Sequence, residues 1–242
     1  MSKYDLPRYA SSAYAGYMIG ERYLEKQLAL SINFIRSTLS ARTIIDDINP
    51  PLNANVLEVG IGVGDLANAL KRGRNDLNVF GFDISLPALT LNEEKRHISC
   101  VADLKWMPFK SDAFDLTYST DVYEHEQDAG QAMRELFRVT KPGGYIMHAI
   151  ADPSEARFWK VRDHKQRETD DSHVLFWESQ IEKTGFILMR EKNAEIRKRD
   201  WRRIIRESPI PFVKMLSETR GFATVLNKFH RPGLYIAFKP IQ

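Results

Sequence analysis

Cysteine is nearly absent. The one in 242 residues, Cys100, excludes an internal disulfide and any metal centre built on several thiolates. It falls in an apolar run that reads as a strand, where a lone cysteine acts as a small buried hydrophobe. Long apolar runs are missing too, and none approaches the ~18 residues that a membrane-spanning helix needs. The opening Met1-Ser2-Lys3-Tyr4-Asp5-Leu6-Pro7 has no signal-peptide pattern. These absences predict a soluble cytoplasmic chain with no membrane span. No Gly-Lys-Ser or Gly-Lys-Thr occurs, which excludes the common phosphate-binding loop.

Net charge is small, +3, because 35 Lys and Arg nearly cancel 32 Asp and Glu, but it is unevenly spread. Residues 1–150 hold 16 Lys and Arg against 19 Asp and Glu, a net of −3; residues 151–242 hold 19 against 13, a net of +6. The basic second part favours an anionic small molecule or an acidic partner, with a solvated basic face as the plainer alternative. Apolar residues make up 43%, enough for one α/β core with appendages but not for two full domains at this length.

The most informative stretch is Val56-Leu57-Glu58-Val59-Gly60-Ile61-Gly62-Val63-Gly64-Asp65-Leu66. It reads as a buried strand, a three-glycine turn and a helix start. Glycine lets a ligand lie against bare backbone, and the helix offers free N–H groups above the turn. A dinucleotide fingerprint would need glycine at position 65, where this chain has Asp65. An acid there is awkward for pyrophosphate and tolerable for a ligand with a positive centre. Two further apolar runs each end in an acid: Asn78 to Asp83, and His97 to Asp103. Ligands of open α/β sheets bind outside the carboxyl ends of the strands. The glycine turn, Asp83 and Asp103 then share one rim, a layout suited to a nucleoside.

These stretches resemble the class I S-adenosylmethionine-dependent methyltransferases, and within them the type-11 group. Further matching segments are Ala102 to Phe109, Ala113 to Ser119, and Arg134 to Gly144. The resemblance covers about residues 52 to 150. It implies a Rossmann-like α/β fold: a seven-stranded, mostly parallel sheet with helices on both faces. It also implies S-adenosyl-L-methionine as cofactor. Gly60, Gly62 and Gly64 would pass under its methionine part, and Glu58 would orient that loop. Asp83 would hold the ribose hydroxyls, with Ile84 on the adenine. Asp103 would accept from the adenine amino group, beside the Leu104 backbone. Ser119 or Thr120 would offer a carbonyl to the ammonium.

Around this core the chain carries additions. Residues 1–50 read as an N-terminal helical lid, with Leu24, Leu28, Ile32 and Ile35 at helical spacing and Tyr14, Tyr17 and Tyr23 beside them. Residues 51–192 and 231–242 read as the cofactor-binding core. Helices are expected over Leu66 to Lys71, Leu86 to Arg96, Gln127 to Thr140, and around Ser179 to Thr184. Residues 193–230 interrupt what is usually a short hairpin connection and carry a basic, helix-compatible run from Glu195 to Arg206. A connection this long is functional or separately folded, and it reads as a helical cap before the last strand.

Methyl transfer from a sulfonium is a direct displacement that needs alignment above all. A hydroxyl acceptor also benefits from a general base. His125, just after the fourth strand, is the first candidate base, with a structural role as its alternative. His173, expected just before a helix, is the second. His148 falls inside the fifth strand and reads as a core histidine. Arg157, Lys160 and Arg162, mixed with Phe158 and Trp159, suit an anionic acceptor or a snorkelling surface. No metal site is expected: Asp121 and Asp152 stand at strand ends without the asparagine that a cation-assisted transfer would want. The preferred reading is methyl transfer to an O or N atom of a small-molecule acceptor in metabolite, lipid or surface-sugar synthesis. An RNA methyltransferase using the basic cap ranks below it, because a dedicated RNA-binding domain is absent. An inactive cofactor-binding scaffold ranks third.

Overall fold

The computed structural model describes residue 37 and residues 40–91, 96–150, 170–197 and 233–241. Strands and helices alternate as β1 (Asn55–Val59), α1 (Asp65–Gly73), β2 (Asn78–Asp83), α2 (Leu86–Thr90), β3 (Ile98–Val101), β4 (Phe114–Thr120), α3 (Ala129–Val139) and β5 (Thr140–Ile150). They continue as α4 (Asp170–Lys183), β6 (Ile187–Leu188), α5 (Arg190–Arg197) and β7 (Gly233–Phe238). The strands form one seven-stranded sheet in the order β3-β2-β1-β4-β5-β7-β6. The first five pair in parallel, and β7 runs antiparallel to both neighbours. The strand order reverses between β1 and β4, which makes their carboxyl ends the switch point where such sheets bind ligands.

Both faces of the sheet are covered. On one, Val56, Val79, Leu116 and Tyr118 pack with Leu66, Ala67 and Leu70 of α1 and with Ala41 and Ile44. On the other, Leu57, Val59 and Ile146 pack with Met133 and Leu136 of α3 and Trp177 and Ile181 of α4. The helix starts follow from capping. The Ser85 hydroxyl accepts from the Ala88 N–H at 3.3 Å, and Asp128 accepts from the Gln131 N–H at 2.9 Å, satisfying donors that a first turn leaves open. Asp128 also explains why α3 starts at Ala129 and not at Gln127. Near the opposite rim the buried Lys239 ammonium donates to Asp112 at 2.6 Å and to the carbonyls of Phe137 and Thr140, both at 2.9 Å.

Several sequence expectations need correction. Helix α2 ends at Thr90, short of Arg96, and residues 92–95 lie outside the described residues. Helix α4 begins at Asp170, so His173 lies within a helix and not before it. Cys100 is only half-buried, because β3 is the sheet edge and leaves Ile98 and Val101 exposed. Helix α5 reaches into the expected cap: Asn193 is buried and its side-chain carbonyl accepts from the Ile236 N–H of β7 at 2.9 Å. Most of the lid (with Tyr14, Tyr17, Tyr23 and the Leu24 stripe), the Arg157 to Arg162 segment and the basic run beyond Arg197 lie outside the described residues. Among the described residues no helix is long and apolar enough to cross a membrane.

One polar pair lies inside the second core face. Ser119 and His148 are register neighbours on β4 and β5. The Ser119 Oγ and His148 Nδ1 are 2.6 Å apart, and both residues are buried. Burial pushes the imidazole down from 6.5 to about 3. Between those values the unfolded chain binds a proton that the folded chain refuses, so acid favours unfolding. This contribution to stability is whole above pH 6.5 and is lost as pH falls towards 3. Glu58 acts in the opposite sense: burial raises its pKa well above 4.5, so its contribution is present below 4.5 and fades as pH rises. Denaturant melts between these limits are expected to show a falling acid limb that is shallower in His148→Phe. Identical limbs in the two proteins would assign the acid sensitivity to other groups.

Candidate cofactor site

The site grows from the joint between β1 and β2. After Val59 the chain turns through Gly60, Gly62 and Gly64, with φ of 69°, 54° and 83°. These left-handed values strain any residue with a Cβ. At Gly62 a Cβ would meet nothing within 4 Å among the described residues, which leave the space above it open. At Gly60 a Cβ would overlap the Val122 side chain. The loop after β4 therefore rests directly on the glycine backbone. Gly64 ends the turn as the N-cap of α1.

Asp83 clasps this loop from the tip of β2. One carboxylate oxygen accepts from the Gly62 N–H at 2.8 Å, and the other accepts from the Ser85 N–H at 2.8 Å. The residue is 8% exposed. Burial raises its pKa, and the bonds from Ser85 and Gly62 oppose the rise. The Ile84 N–H also acts on this carboxylate, and of the about four lone-pair sites that a carboxylate offers these bonds leave one for a ligand. Ile84, next along, is half-buried.

Glu58 lies below the loop, 4% exposed, and accepts from the Tyr118 hydroxyl of the neighbouring strand at 3.3 Å. Burial is the main cause of its raised pKa, with the charges of Asp65 and Asp83 adding to it. Three carboxyl groups thus surround one glycine turn, an arrangement that a nearby cation would relieve.

Further along the rim, Asp103 accepts from the Lys105 N–H at 2.8 Å. The Lys105 ammonium lies 3.7 Å from Asp103 and 3.3 Å from Glu126, tying the β3 and β4 exits together. Leu104 packs its side chain into the core, which leaves its backbone on the rim side. Ser119 is fully buried and turned towards His148, whereas Thr120 is partly exposed. His125 ends a short 3₁₀ turn, Tyr123–His125, and its N–H donates to the Val122 carbonyl at 3.1 Å. The backbone of His173 is on α4, away from that turn in sequence; its side chain is not among those described.

The structure brings the glycine loop, Glu58, Asp83 and Ile84 together on adjacent strands, with Asp103 one strand further out. Four residues of the arrangement escaped the sequence reading: Tyr118, Val122, Lys105 and Glu126. Tyr118 was findable only from the β1–β4 register, which sets Glu58 beside it. Val122 carried a weak signal, as an apolar residue in an otherwise polar exit loop.

Residues 57–148 match the family model for a methyltransferase domain. Over 104 residues the chain is 36% identical to demethylmenaquinone methyltransferase of Lactiplantibacillus plantarum, covering 39% of this chain and 44% of that protein. It is 34% identical over 104 residues to the malonyl-acyl-carrier-protein O-methyltransferase of Halorhodospira halophila, covering 40% and 35% respectively. The matched stretch therefore spans less than half of either relative. The fold matches phosphoethanolamine N-methyltransferase 2 of Haemonchus contortus, solved with S-adenosyl-L-methionine, at a TM-score of 0.56 and 18% identity, over 94% of this chain and 60% of that one. At that identity the likeness is one of fold. The stretch that matches the methyltransferase domain holds the glycine turn and the rim acids, and over it the chain is similar to the class I S-adenosylmethionine-dependent methyltransferases.

Proposed function

We propose that the protein transfers a methyl group from S-adenosyl-L-methionine to an O or N atom of a small-molecule acceptor. The observation that carries this reading is the clasped glycine turn: space over Gly62 open among the described residues, with Asp83 fixed beside it and acceptor capacity left on its carboxylate. The bound cofactor supplies a sulfonium methyl already activated for displacement. The chain's own task is to bind, align and exclude water. Gly60, Gly62 and Gly64 give a bare surface for the methionine part. Glu58, below them, favours the cationic end of that ligand. Asp83 accepts from the ribose hydroxyls and Ile84 covers one side of the adenine. Asp103, held by Lys105, accepts from the adenine amino group beside the Leu104 backbone. Ser119 or Thr120 would offer a carbonyl to the ammonium.

Relatives named for quinone and acyl-carrier-protein methylation support a small-molecule acceptor. The positive balance of residues 151–242 favours an anionic one. His125 is assigned a positioning role. Its short turn is anchored through Val122 to the glycine loop, and the side chain is only partly exposed. His173 remains the second candidate for contact with the acceptor.

Calorimetry with S-adenosylhomocysteine and with NAD tests the cofactor reading. Binding of the first and none of the second is expected. Asp83→Asn keeps the shape but loses charge and acceptor capacity, and a loss of roughly 2 kcal/mol, about 30-fold in affinity, is expected. Tight NAD binding without any response to S-adenosylhomocysteine would defeat the proposal.

Gly60→Ala should displace Val122 and strain the turn, weakening S-adenosylhomocysteine by roughly tenfold or more. Equal affinity in this variant would show that the turn tolerates a side chain.

His125→Ala is expected to lower the melting temperature, with turnover per folded molecule on a panel of small hydroxyl and amine acceptors staying within about tenfold. A loss of ~10²-fold or more at an unchanged melting temperature would instead make it a general base.

A further inference from the structure

We propose that His148 is a positioning residue for the cofactor loop, acting through the rim segment from Ser119 to Tyr123. The inference rests on the reading of the glycine turn as the cofactor loop. His148 touches both ends of that segment. Before the turn, its Nδ1 is hydrogen-bonded to the Ser119 hydroxyl at 2.6 Å. After the turn, its ring meets Tyr123 edge to face at 4.6 Å between centroids. Tyr123 is itself fully buried and stacks edge to face on Trp177 of α4 at 6.0 Å. The buried imidazole is thus held between β4 and the rim turn, with α4 behind Tyr123.

Between the two anchored ends the backbone is bent hard. Asp121 has a φ of 56°, a conformation that persists only when its surroundings impose it. Its N–H is fixed on the Ala149 carbonyl at 2.8 Å, immediately after His148 on β5. The bend delivers Val122 onto Gly60, where any Cβ would overlap it. The chain of contact runs from His148 to Ser119 and Tyr123, from these to Val122, and from Val122 to the first glycine of the loop.

A purely structural role would make His148 a poor choice. Among the described residues its buried Nε2 has no hydrogen-bond partner, nor have the buried hydroxyls of Tyr123 and of Thr117 on the same sheet face. Such groups weaken a core, and apolar replacements of similar shape are tolerated or stabilising. A residue retained for stability and one retained for positioning therefore predict opposite patterns on substitution.

The test compares three variants of the full chain by melting temperature and by calorimetry with S-adenosylhomocysteine. His148→Phe keeps the ring against Tyr123 and loses the bond to Ser119. Ser119→Ala removes the same bond from its other end. Thr117→Val removes a neighbouring buried hydroxyl that makes no hydrogen bond among the described residues. The first two are expected to weaken binding about fivefold or more at an unchanged or raised melting temperature, and the double variant no more than either alone. His148→Asn, which can offer a polar atom near Nδ1, is expected to recover part of the affinity. Thr117→Val is expected to bind as the parent does. Folded His148→Phe and Ser119→Ala proteins with parental affinity would overturn the proposal while leaving the cofactor reading intact. Equal weakening by Thr117→Val would overturn it as well, by showing a general response to core changes. Absence of binding in the parent protein would remove both readings together.

Discussion

The hydrogen bond from the Gly62 N–H to the Asp83 carboxylate is the constraint on which the site depends. A turn with glycines at 60, 62 and 64 has more conformational freedom to lose than one whose residues all carry side chains. It becomes a defined surface only if something outside it fixes the backbone. Asp83 does so from the adjacent strand, and the neighbouring Ile61 N–H donates to the Phe82 carbonyl at 2.9 Å. Ile61 packs against Gly81, where a Cβ would collide with it. The β1–β2 register sets this geometry, since Val59 pairs with Phe82.

Charge at the site follows from the same packing. Helix N-termini attract anions, yet here the N-terminus of α1 is edged by Asp65, and Glu58 and Asp83 lie close by. Burial and mutual repulsion raise the pKa of Glu58, so the site gains from a positive group and resists a pyrophosphate. In the core on the other face, His148 is kept neutral by burial. Neutrality there lets a polar residue serve as a spacer between two strands without a buried charge.

The outer rim is braced from below. Arg138 donates to the carbonyls of Phe109 and Met107 at 2.7 and 3.0 Å while paired with Glu135. Glu135 in turn accepts from the Met107 N–H at 2.8 Å. This network gives a physical purpose to the Arg134 to Val139 stretch of the family pattern. A helix spacing of three residues sets an acid and an arginine side by side, and together they hold an irregular link that has few ladder bonds of its own. Asp103 inherits its place from that link.

Much of this was legible in the sequence. Alternating apolar runs and helix patterns imply a parallel sheet because a short-range period selects each element. Glycine spacing, with Asp65 in place of a further glycine, narrows the ligand because backbone approach depends on a missing Cβ. The acids at the ends of β2 and β3 could be placed on one rim because parallel strands end on one side. What the sequence could not specify were contacts between distant segments. Tyr118 beside Glu58, Val122 on Gly60, Lys105 between Asp103 and Glu126, and Ser119 on His148 all arise from strand order and register. The start of α3 shifted for a related reason, since capping by Asp128 outweighs local periodicity. Local chemistry along the chain determined which elements form and what kind of ligand the turn accepts. Tertiary packing alone decided how that turn is held rigid, because a hydrogen bond between residues on neighbouring strands exists only once the sheet has brought them together.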